Sequence, residues 1–427
     1  MDWVFAVFDV VIVGGGPVGA CLGALLARGE GSAALAVALL EPHGAAVPAA
    51  GAPLEARVVA LSRASERVLS RAGAWPRIRG PRIQPYERMR VWHESVAPES
   101  DAVLVFDAAD AGEPNLGYIA ENRLLQGALT EAFVTAGGHI ERAPFAALEI
   151  GAESVLVRTA ERTLAARLAV GADGAHSPLR QAAGLSADTS PYGQTAIVAS
   201  VATARPHQAT AWQRFMKDGT LALLPLADGT SSIVWSADDE VARALLALDA
   251  AGFAAELDRA SALALGATCL ASERASFPLN RLRAQRYIAQ RIALIGDAAH
   301  VVHPLAGQGV NLGLLDAAAL AQQLAAAAAR REDPGSLAVL RPYERWRRSE
   351  VAVMSTAIDA FDRFLAHGRG PVAQLAQHGL ALVGRSEELR RFFIRRALGV
   401  SGELPEAARG SAAVAALGAA YDPSLSR

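Results

Sequence analysis

The chain has 427 residues, of which 52% are hydrophobic and 20% are charged, a composition typical of globular proteins that fold in water. At this length two packed domains are more common than one. The formal net charge of −2 gives no electrostatic basis for a nucleic-acid partner. The presence of only two cysteines excludes a disulfide framework and a cysteine-based metal cluster.

The first predicted elements form a βαβ unit. Residues 9–13 read DVVIV, a β-branched apolar run that predicts a buried parallel strand. Residues 17–28 predict a helix, and residues 36–40 predict a second strand that ends at Glu41. This order of elements is typical of domains that bind a nucleotide.

A glycine-rich turn joins the first strand to the first helix. Gly14, Gly16 and Gly19 satisfy the pattern G-x-G-x-x-G, whose glycines permit a tight turn, a close approach to a pyrophosphate and close packing of helix on sheet. The helix N-terminus supplies N–H groups for the phosphates, and Glu41 stands where a carboxylate accepts hydrogen bonds from ribose hydroxyls. We predict dinucleotide binding, with a ligand-free turn as the alternative; the pattern alone does not separate FAD from NAD.

A sheet-rich segment is predicted in the middle of the chain. Residues 86–107 and 166–170 predict strands, and residues 122–137 predict a helix between them. Residues 195–236 contain alternating apolar segments separated by turn residues, which is typical of an antiparallel sheet, and residues 239–264 predict helix. The order of elements indicates a nucleotide domain that is interrupted by a second domain.

The last part of the chain returns to strand and helix. Residues 291–320 read RIALIGDAAHVVHPLAGQGVNLGLLDAAAL, which predicts a buried strand, a loop with one proline and two glycines, and the start of an Ala-rich helix. That helix is expected to end before Pro334 and Gly335. Arginine-rich helices are predicted to about residue 400, and residues 401–427 predict a loose tail.

Three separated motifs resemble those of the single-component flavoprotein aromatic hydroxylases. They are the glycine loop, the segment GADGAHSPLR at 171–180 and the Gly-Asp segment that contains Asp297. The resemblance implies that Asp173, Arg180 and Asp297 help to bind FAD, and that residues 171–180 also lie near NAD(P)H.

The resemblance narrows to the ubiquinone-biosynthesis hydroxylases of the UbiH/UbiF/VisC type and covers residues 8 to about 405. It rests on ARVVALSRASERVL (56–69), LGYIAENRLLQGAL (116–129), TAWQRF (210–215), HPLAGQGVNLGLLDA (303–317) and YERWRR (343–348). It implies a p-hydroxybenzoate-hydroxylase-like α/β fold, in which a Rossmann-like FAD-binding domain is interrupted by a mixed or antiparallel β-sheet substrate domain and followed by C-terminal helices. The expected boundaries are 1–80, 108–188 and 286–340 for the discontinuous FAD-binding domain, 81–107 and 189–285 for the substrate domain, 341–400 for the helical region and 401–427 for the tail.

The activity that the resemblance implies is that of an FAD-dependent monooxygenase. Such an enzyme uses NAD(P)H or another reductant and O₂ to hydroxylate an aromatic ring through a flavin C4a-hydroperoxide. The implied substrate is a polyprenylated phenol or benzoquinol intermediate of ubiquinone biosynthesis. Two alternatives stay open: a same-fold hydroxylase of a soluble aromatic or natural product, and a non-catalytic flavin-holding subunit of a biosynthetic complex.

The loop before the Ala-rich helix has a physical reason to lie near a flavin. Asp297 ends a strand at the carboxyl edge of the predicted sheet, where ligands bind in such folds. Pro304 rigidifies the turn, and residues 306–309 would present backbone N–H groups at a helix start, which favours anions. Because hydride reduction places negative charge near N1 and the C2 carbonyl of a flavin, this loop is expected to stabilise reduced flavin.

The predicted site residues follow from these motifs. The predicted cofactor contacts are Gly14, Gly16, Gly19, Glu41, Arg57, Gln126, Asp173, Arg180, Asp297, Pro304, Ala306, Gly307, Gln308, Gly309, Val310 and Asn311. The alternatives are a surface arginine for Arg57 and a structural ion pair for Asp173 and Arg180. His303 and Pro304 are candidates for flavin-facing loop residues, and no catalytic base is assigned. The candidate substrate contacts are His207, Trp212, Arg214 and Phe215, with packing as the alternative. We predict no metal site, because the histidines of this loop lack further ligands in the sequence.

We expect a cytoplasmic protein without a membrane-spanning helix, which collects a lipophilic aromatic substrate by peripheral contact with the inner membrane or from a ubiquinone-biosynthesis complex. The segment LRRFFIRRAL at 389–398 interleaves aromatic residues with arginines, as at a membrane interface, although packing within its own protein is the alternative. The arginines of this helical region are Arg345, Arg347, Arg348, Arg390, Arg391, Arg395 and Arg396. The oligomeric state is not predicted.

Overall fold

The structure is a computed structural model that describes residues 7–29, 34–49, 51–304, 307–361, 398–399 and 402–410. The strands are β1 (Val7–Val13), β2 (Val37–Leu40), β3 (Val58–Ser62), β4 (Gln84–Tyr86), β5 (Arg88–His93), β6 (Leu104–Asp107), β7 (Gly117–Glu121), β8 (His139–Glu141), β9 (Ala147–Ile150), β10 (Val155–Arg158), β11 (Thr163–Gly171), β12 (Ala187–Thr203), β13 (Thr210–Met216), β14 (Gly219–Pro225), β15 (Ser231–Asp238), β16 (Thr268–Leu270), β17 (Ala275–Ala284), β18 (Ile288–Ala289), β19 (Ile292–Leu294) and β20 (His300–Val301). The helices are α1 (Pro17–Arg28), α2 (Arg63–Arg71), α3 (Trp75–Ile78), α4 (Asn122–Thr135), α5 (Pro178–Ala182), α6 (Asp239–Ala247), α7 (Ala250–Ser261), α8 (Gln308–Ala329) and α9 (Leu337–Phe361).

The first sheet is built around the predicted βαβ unit. Its strands lie in the order β18-β19-β11-β1-β2-β8, with β10 and β9 attached to β11. Strand β1 pairs in parallel with β2 and β11, and β11 in turn pairs in parallel with β19. Val10, Val11 and Ile12 are completely buried, as is typical of a central strand in a parallel sheet. The sheet is therefore assembled from three distant stretches of the chain, as a discontinuous domain requires.

The second sheet has nine strands in the order β20-β17-β12-β15-β14-β13-β5-β6, with β16 beside β12. One face packs its apolar side chains, among them Ile197, Leu221 and Trp235, against α6 and α7. The alternate residues of the same strands face the first domain. The helical stretch predicted at 239–264 is two helices, because Asp249 caps the second by accepting a hydrogen bond from the N–H of Gly252 at 2.7 Å.

A third sheet of three strands, β3-β7-β4, is not expected from the sequence. The sequence-based boundaries place Gln84–Tyr86 in the substrate domain, but these residues pair with β7 rather than with the second sheet. The segment after β19 also departs from the expected boundaries. His300 and Val301 pair with Arg283 and Leu282 in β17, so the loop that carries Asp297 connects the first sheet to the second.

Helix α8 is long and apolar enough to cross a membrane, but 56% of its most apolar window is buried inside the protein. Two sequence predictions for the C-terminal part are wrong. Arg347 in α9 is 1% exposed and therefore cannot face a membrane. Residues 402–410, expected in a loose tail, pack on the body: Gln322 accepts a hydrogen bond from the N–H of Glu406. The arginine and phenylalanine residues of 389–397 lie outside the described residues.

Candidate cofactor and substrate cleft

The turn between β1 and α1 has the geometry of a phosphate-binding loop. Gly14 has φ +103°, and a Cβ there would overlap the carbonyl oxygen of Ala172. A Cβ on Gly19 would overlap the carbonyl oxygen of Gly14. At Gly16, by contrast, a Cβ would meet no atom within 4 Å, and this residue begins α1 without a side-chain cap. Open space therefore lies in front of free helix N–H groups, as a bound phosphate requires.

Glu41 and Gln126 both hold the glycine turn. The Glu41 carboxylate accepts hydrogen bonds from the backbone N–H groups of Gly15 at 2.8 Å and His43 at 2.9 Å. The side-chain amide of Gln126 donates to the carbonyl oxygen of Gly15 at 3.0 Å. The structure thus brings both predicted residues to the turn, where their contacts are with the protein backbone. Direct contacts with a ribose or a phosphate stay predictions.

Asp173 and Arg180 connect the second motif to the third. Asp173 accepts hydrogen bonds from the Ser177 hydroxyl and from the N–H of Leu179, at the start of α5. Burial raises the pKa of Asp173, and these hydrogen bonds oppose part of that rise. The Arg180 guanidinium donates to the carbonyl oxygens of Ala298 at 2.8 Å and Ala175 at 2.8 Å. As placed, the pair braces the loop beside Asp297. A contact of either side chain with the cofactor stays a prediction.

Asp297 and Arg57 are the charged side chains that line the cleft. Asp297 follows β19 in a short 3-10 turn, Gly296–Ala298, and its side chain faces the open cleft although protein surrounds it on the other sides. Burial raises the pKa of Asp297, and the positive charges of His300 and Arg57 oppose that rise. No hydrogen-bond partner of the Asp297 carboxylate occurs among the described residues, so both of its oxygens can accept bonds from a ligand.

A buried charged cluster lies behind the Asp297 turn. Asp316 of α8 is completely buried and accepts hydrogen bonds from three groups: the N–H of Gly296 at 3.0 Å, Nε2 of His300 at 2.6 Å and Nε of Arg347 at 2.7 Å. Burial alone would raise the pKa of Asp316, but the charges and hydrogen bonds of His300 and Arg347 bring it below the usual value. The cluster joins α8, α9 and the turn that presents Asp297, and sequence reasoning missed Asp316.

The start of α8 is the second open helix N-terminus in the cleft. Gly307 has φ +63° and precedes α8 without a side-chain cap, and no atom lies within 4 Å of a Cβ on Gly309. Asn311 anchors this turn to β3: its amide donates to the carbonyl oxygen of Ala60 at 2.8 Å and accepts from the N–H of Ser62 at 2.9 Å. Ala306 lies outside the described residues.

A cavity of about 270 Å³ separates these loops from the second sheet. One wall consists of residues 56–60 together with Asp297, Pro304 and residues 307–310. The other wall is the sheet, where mostly apolar side chains line the cavity. The residues of that wall are Met89, Val198, Ala211, Trp212, Gln213, Thr220, Ala222, Leu224, Val234, Ser236, Phe277, Val301 and Val302, and Tyr86 of the three-stranded sheet also lines the cavity. A flat apolar molecule would fit such a wall, and the opposite wall carries the open helix start.

Of the four candidate substrate contacts, only Trp212 is among the residues that line the cavity, and strand alternation places its ring on the same face as Arg214, where it packs with the apolar cluster under α6 and α7. Arg214 projects to the other face of the sheet, where its guanidinium donates to the carbonyl oxygens of Arg259 and Ala260 at the end of α7. Phe215 is buried in a cluster with Val91 and Leu104. His207 hydrogen-bonds the carbonyl oxygen of Leu226 at 3.1 Å. These three side chains are engaged within the protein, which corrects the expectation that they contact substrate.

His303 also differs from the expectation, whereas Pro304 lines the cavity. His303 is 1% exposed, its Nε2 lies 2.9 Å from Oε1 of Gln194, and its ring packs edge-on against Tyr192. It does not line the cavity, so the structure does not support a flavin-facing role. Three polar residues of the sheet wall were missed: Gln213, Thr220 and Ser236. The alternation of β13, β14 and β15 was the signal that could have identified their face.

Comparisons with known proteins identify the family of this chain. A family model described as an FAD binding domain matches residues 7–355. The ubiquinone hydroxylase UbiL of Rhodospirillum rubrum is 38% identical over 406 residues, which cover 94% of this chain and 92% of that protein. The 3-demethoxyubiquinol 3-hydroxylase of Escherichia coli is 34% identical over 396 residues, which cover 92% of this chain and 98% of that protein. The crystal structure of p-nitrophenol 4-monooxygenase PnpA from Pseudomonas putida shares the fold, with a TM-score of 0.74 at 20% identity over 93% of this chain and 99% of that one.

Proposed function

This chain belongs to the FAD-binding family of flavoprotein monooxygenases and, within it, to the ubiquinone-biosynthesis hydroxylases, and from that membership we propose that it hydroxylates the ring of a polyprenylated phenol or benzoquinol. The observation that carries the proposal is the cavity between the open start of α8 and an apolar sheet wall. A non-catalytic flavin-holding subunit would not need a cavity that extends from that loop to an apolar sheet wall.

The residues present fit FAD. The uncapped N-terminus of α1 and the empty space at Gly16 suit its pyrophosphate, and the Asp297 carboxylate, which faces the cleft, suits its ribityl or ribose hydroxyls. The second uncapped helix start, at Gly307, suits the negative charge of a reduced isoalloxazine. When bound, FAD supplies the redox chemistry, in which NAD(P)H, the reductant typical of the family, provides electrons and O₂ provides the oxygen atom.

The protein's own contribution is to position the substrate and to exclude water. Apolar side chains such as Val198, Ala222 and Val234 form the sheet wall and hold an aromatic ring against the loop side of the cavity. No chain of protein groups that would act as nucleophile and base is required, because the cofactor carries the oxygen chemistry.

Oxygen consumption by the purified holoenzyme tests the proposal. We expect bound FAD in the purified protein, and NAD(P)H oxidation and O₂ uptake that increase when a phenol with a short prenyl tail is added. Mass spectrometry of the extract should show the substrate plus one oxygen atom. An enzyme that hydroxylates soluble phenols equally well without a prenyl tail would contradict the proposed substrate class. A protein that binds FAD but consumes no O₂ with any phenol would contradict the activity.

Because the proposed substrate is a lipid, the enzyme must collect it from a membrane surface or from a partner protein. The exposed side of α9 carries Arg345 and the 54% exposed Val353, and the arginine-rich segment 389–398 follows later in the chain. Flotation with anionic liposomes, comparing the wild type with Arg395→Glu/Arg396→Glu, tests a membrane contact of that segment. Equal flotation of both proteins, or of neither, would favour delivery by a partner.

A further inference from the structure

The sheet wall of the cavity carries a small polar group within an apolar surface. Gln213 pairs with Ala222 across β13 and β14, Ala222 pairs with Val234, and Val234 pairs with Val198. These four residues form one row on the cavity side of the sheet, and only Gln213 is polar. In the next row Thr220 of β14 lies directly opposite Ser236 of β15. Gln213 thus lies diagonally from Thr220, Thr220 lies opposite Ser236, and the three residues form a polar patch that extends across three neighbouring strands of the wall.

The side chains of this patch lack hydrogen-bond partners within the described part of the chain. Gln213 is 6% exposed and Ser236 is 3% exposed, yet neither side chain bonds to another described residue, and the buried Thr220 hydroxyl is likewise unsatisfied. Burial of polar groups without partners is destabilising, and nearly all buried polar groups in native proteins are paired. A polar ligand in the cavity would supply the missing partner.

The charges around the cavity restrict what that ligand is. On the sheet wall no charged side chain lines the cavity among the described residues, and the charged lining residues, Arg57 and Asp297, belong to the opposite wall. A ring carboxylate would therefore have no cation on the sheet side. A glutamine amide both donates and accepts hydrogen bonds, as does a serine hydroxyl. The patch is matched to a neutral hydroxyl, which also donates and accepts.

We propose that Gln213 is the specificity-determining residue that binds the hydroxyl already present on the substrate ring. The proposal rests on the proposed function and names the recognition element within it. A single polar anchor on an apolar wall fixes how the ring is rotated in its plane, because the remaining contacts are with apolar side chains that accept several orientations. The choice of ring position for hydroxylation then depends on Gln213.

Calorimetric titration of the FAD-loaded protein, without NAD(P)H, tests this assignment through two probes that differ only in the hydroxyl: 2-propylphenol and propylbenzene. We expect the wild type to bind 2-propylphenol about fivefold more tightly, the ratio that one neutral hydrogen bond provides. In Gln213→Met, which is nearly isosteric, that preference should fall to about one, while the affinity for propylbenzene stays the same. Gln213→Leu repeats the test with a differently shaped apolar side chain.

Ser232→Ala is the matched control. Ser232 lies on β15 on the same face as Ser236, but it does not line the cavity and its hydroxyl bonds the carbonyl oxygen of Ala56 at 3.4 Å, so its removal should leave the preference unchanged. Equal binding of both probes by the wild type overturns the assignment without any variant, and so does an unchanged preference in Gln213→Met. If the FAD-loaded wild type binds neither probe, the proposed substrate class itself is wrong.

Discussion

Replacement of Asp316 by asparagine tests the role of the buried cluster behind the cofactor turn. Asparagine keeps the shape of the side chain but removes its charge, so Arg347, which is 1% exposed, loses the carboxylate that it contacts at 2.7 Å. Removing one partner of a buried ion pair costs about 3–5 kcal/mol, because the other charge is left buried without compensation. That cost is a large fraction of the ~5–15 kcal/mol by which a typical protein is stable.

Urea unfolding, followed by circular dichroism and by flavin fluorescence, measures the effect. A loss of this size corresponds to a fall in the unfolding midpoint of about 1–2 M urea if the slope is ~3 kcal/mol per molar urea. The matched control is Glu332→Gln, which removes the carboxylate of the exposed pair with Arg330 and should not change the midpoint measurably. Adding Arg347→Met to Asp316→Asn should restore most of the lost stability, since it removes the uncompensated charge.

The pH dependence of this difference has a definite sign. The folded-state pKa of Asp316 lies below the usual value, so its carboxylate contributes fully above the ordinary aspartate pKa of ~3.9. This contribution to stability is lost as pH falls through the lower folded-state pKa. The unfolding midpoints of the wild type and Asp316→Asn should then converge. An unfolding midpoint of Asp316→Asn equal to that of Glu332→Gln at pH 7, or a double variant no more stable than Asp316→Asn, would refute the reasoning.

The remaining predictions concern the cofactor residues. Gly16→Val should purify folded but without FAD, because its side chain enters open space where the pyrophosphate is expected. Gly19→Ala should also lose thermal stability, because its Cβ would overlap the carbonyl oxygen of Gly14. A normal flavin content in Gly16→Val would show that the turn is structural only. Asp297→Asn should weaken FAD binding about 10- to 150-fold, as for the loss of a hydrogen bond to a charged group, measured by fluorescence titration of the apoprotein. Since burial raises the pKa of Asp297, wild-type affinity for FAD should decline at mildly acidic pH, where an ordinary aspartate is still ionised, and Asp297→Asn should show no such decline.

Much of the fold was predictable because local signals coincide with it. The run at β1, the glycine turn and α1 follow from apolar periodicity and from the need for glycine at φ +103°. The small sheet of β3, β4 and β7 was not predictable, because its pairing joins Ser62 to Gly117 and Tyr86 to Gly117 across long separations. Pairing partners of short strands depend on tertiary packing rather than on local pattern.

The candidate site shows the same division. Motif residues on the cofactor side, such as Gly16 and Asp297, were identified because their types and spacing are fixed by the ligand. Residues on the substrate side were not identified, because the face of a strand that lines the cavity is the one that does not pack against helices, and the local sequence does not specify it. In β13 that choice places Gln213 on the cavity and Arg214 against α7, and a shift of one residue reverses it.

The order in which the first sheet is completed has a consequence for synthesis of the protein on the ribosome. Val13 pairs with Gly171, and Gly171 pairs with Leu294, so the sheet that contains the first strand to emerge is completed only after β19 has been synthesised. At a translation rate of ~5–20 residues per second, the apolar strand β1 is without its completed sheet for on the order of 15–60 s. From this topology we expect chaperones to bind the nascent chain during that interval, and FAD to bind only after residues 307–310 have emerged. Nascent chains arrested before β19 should bind no flavin.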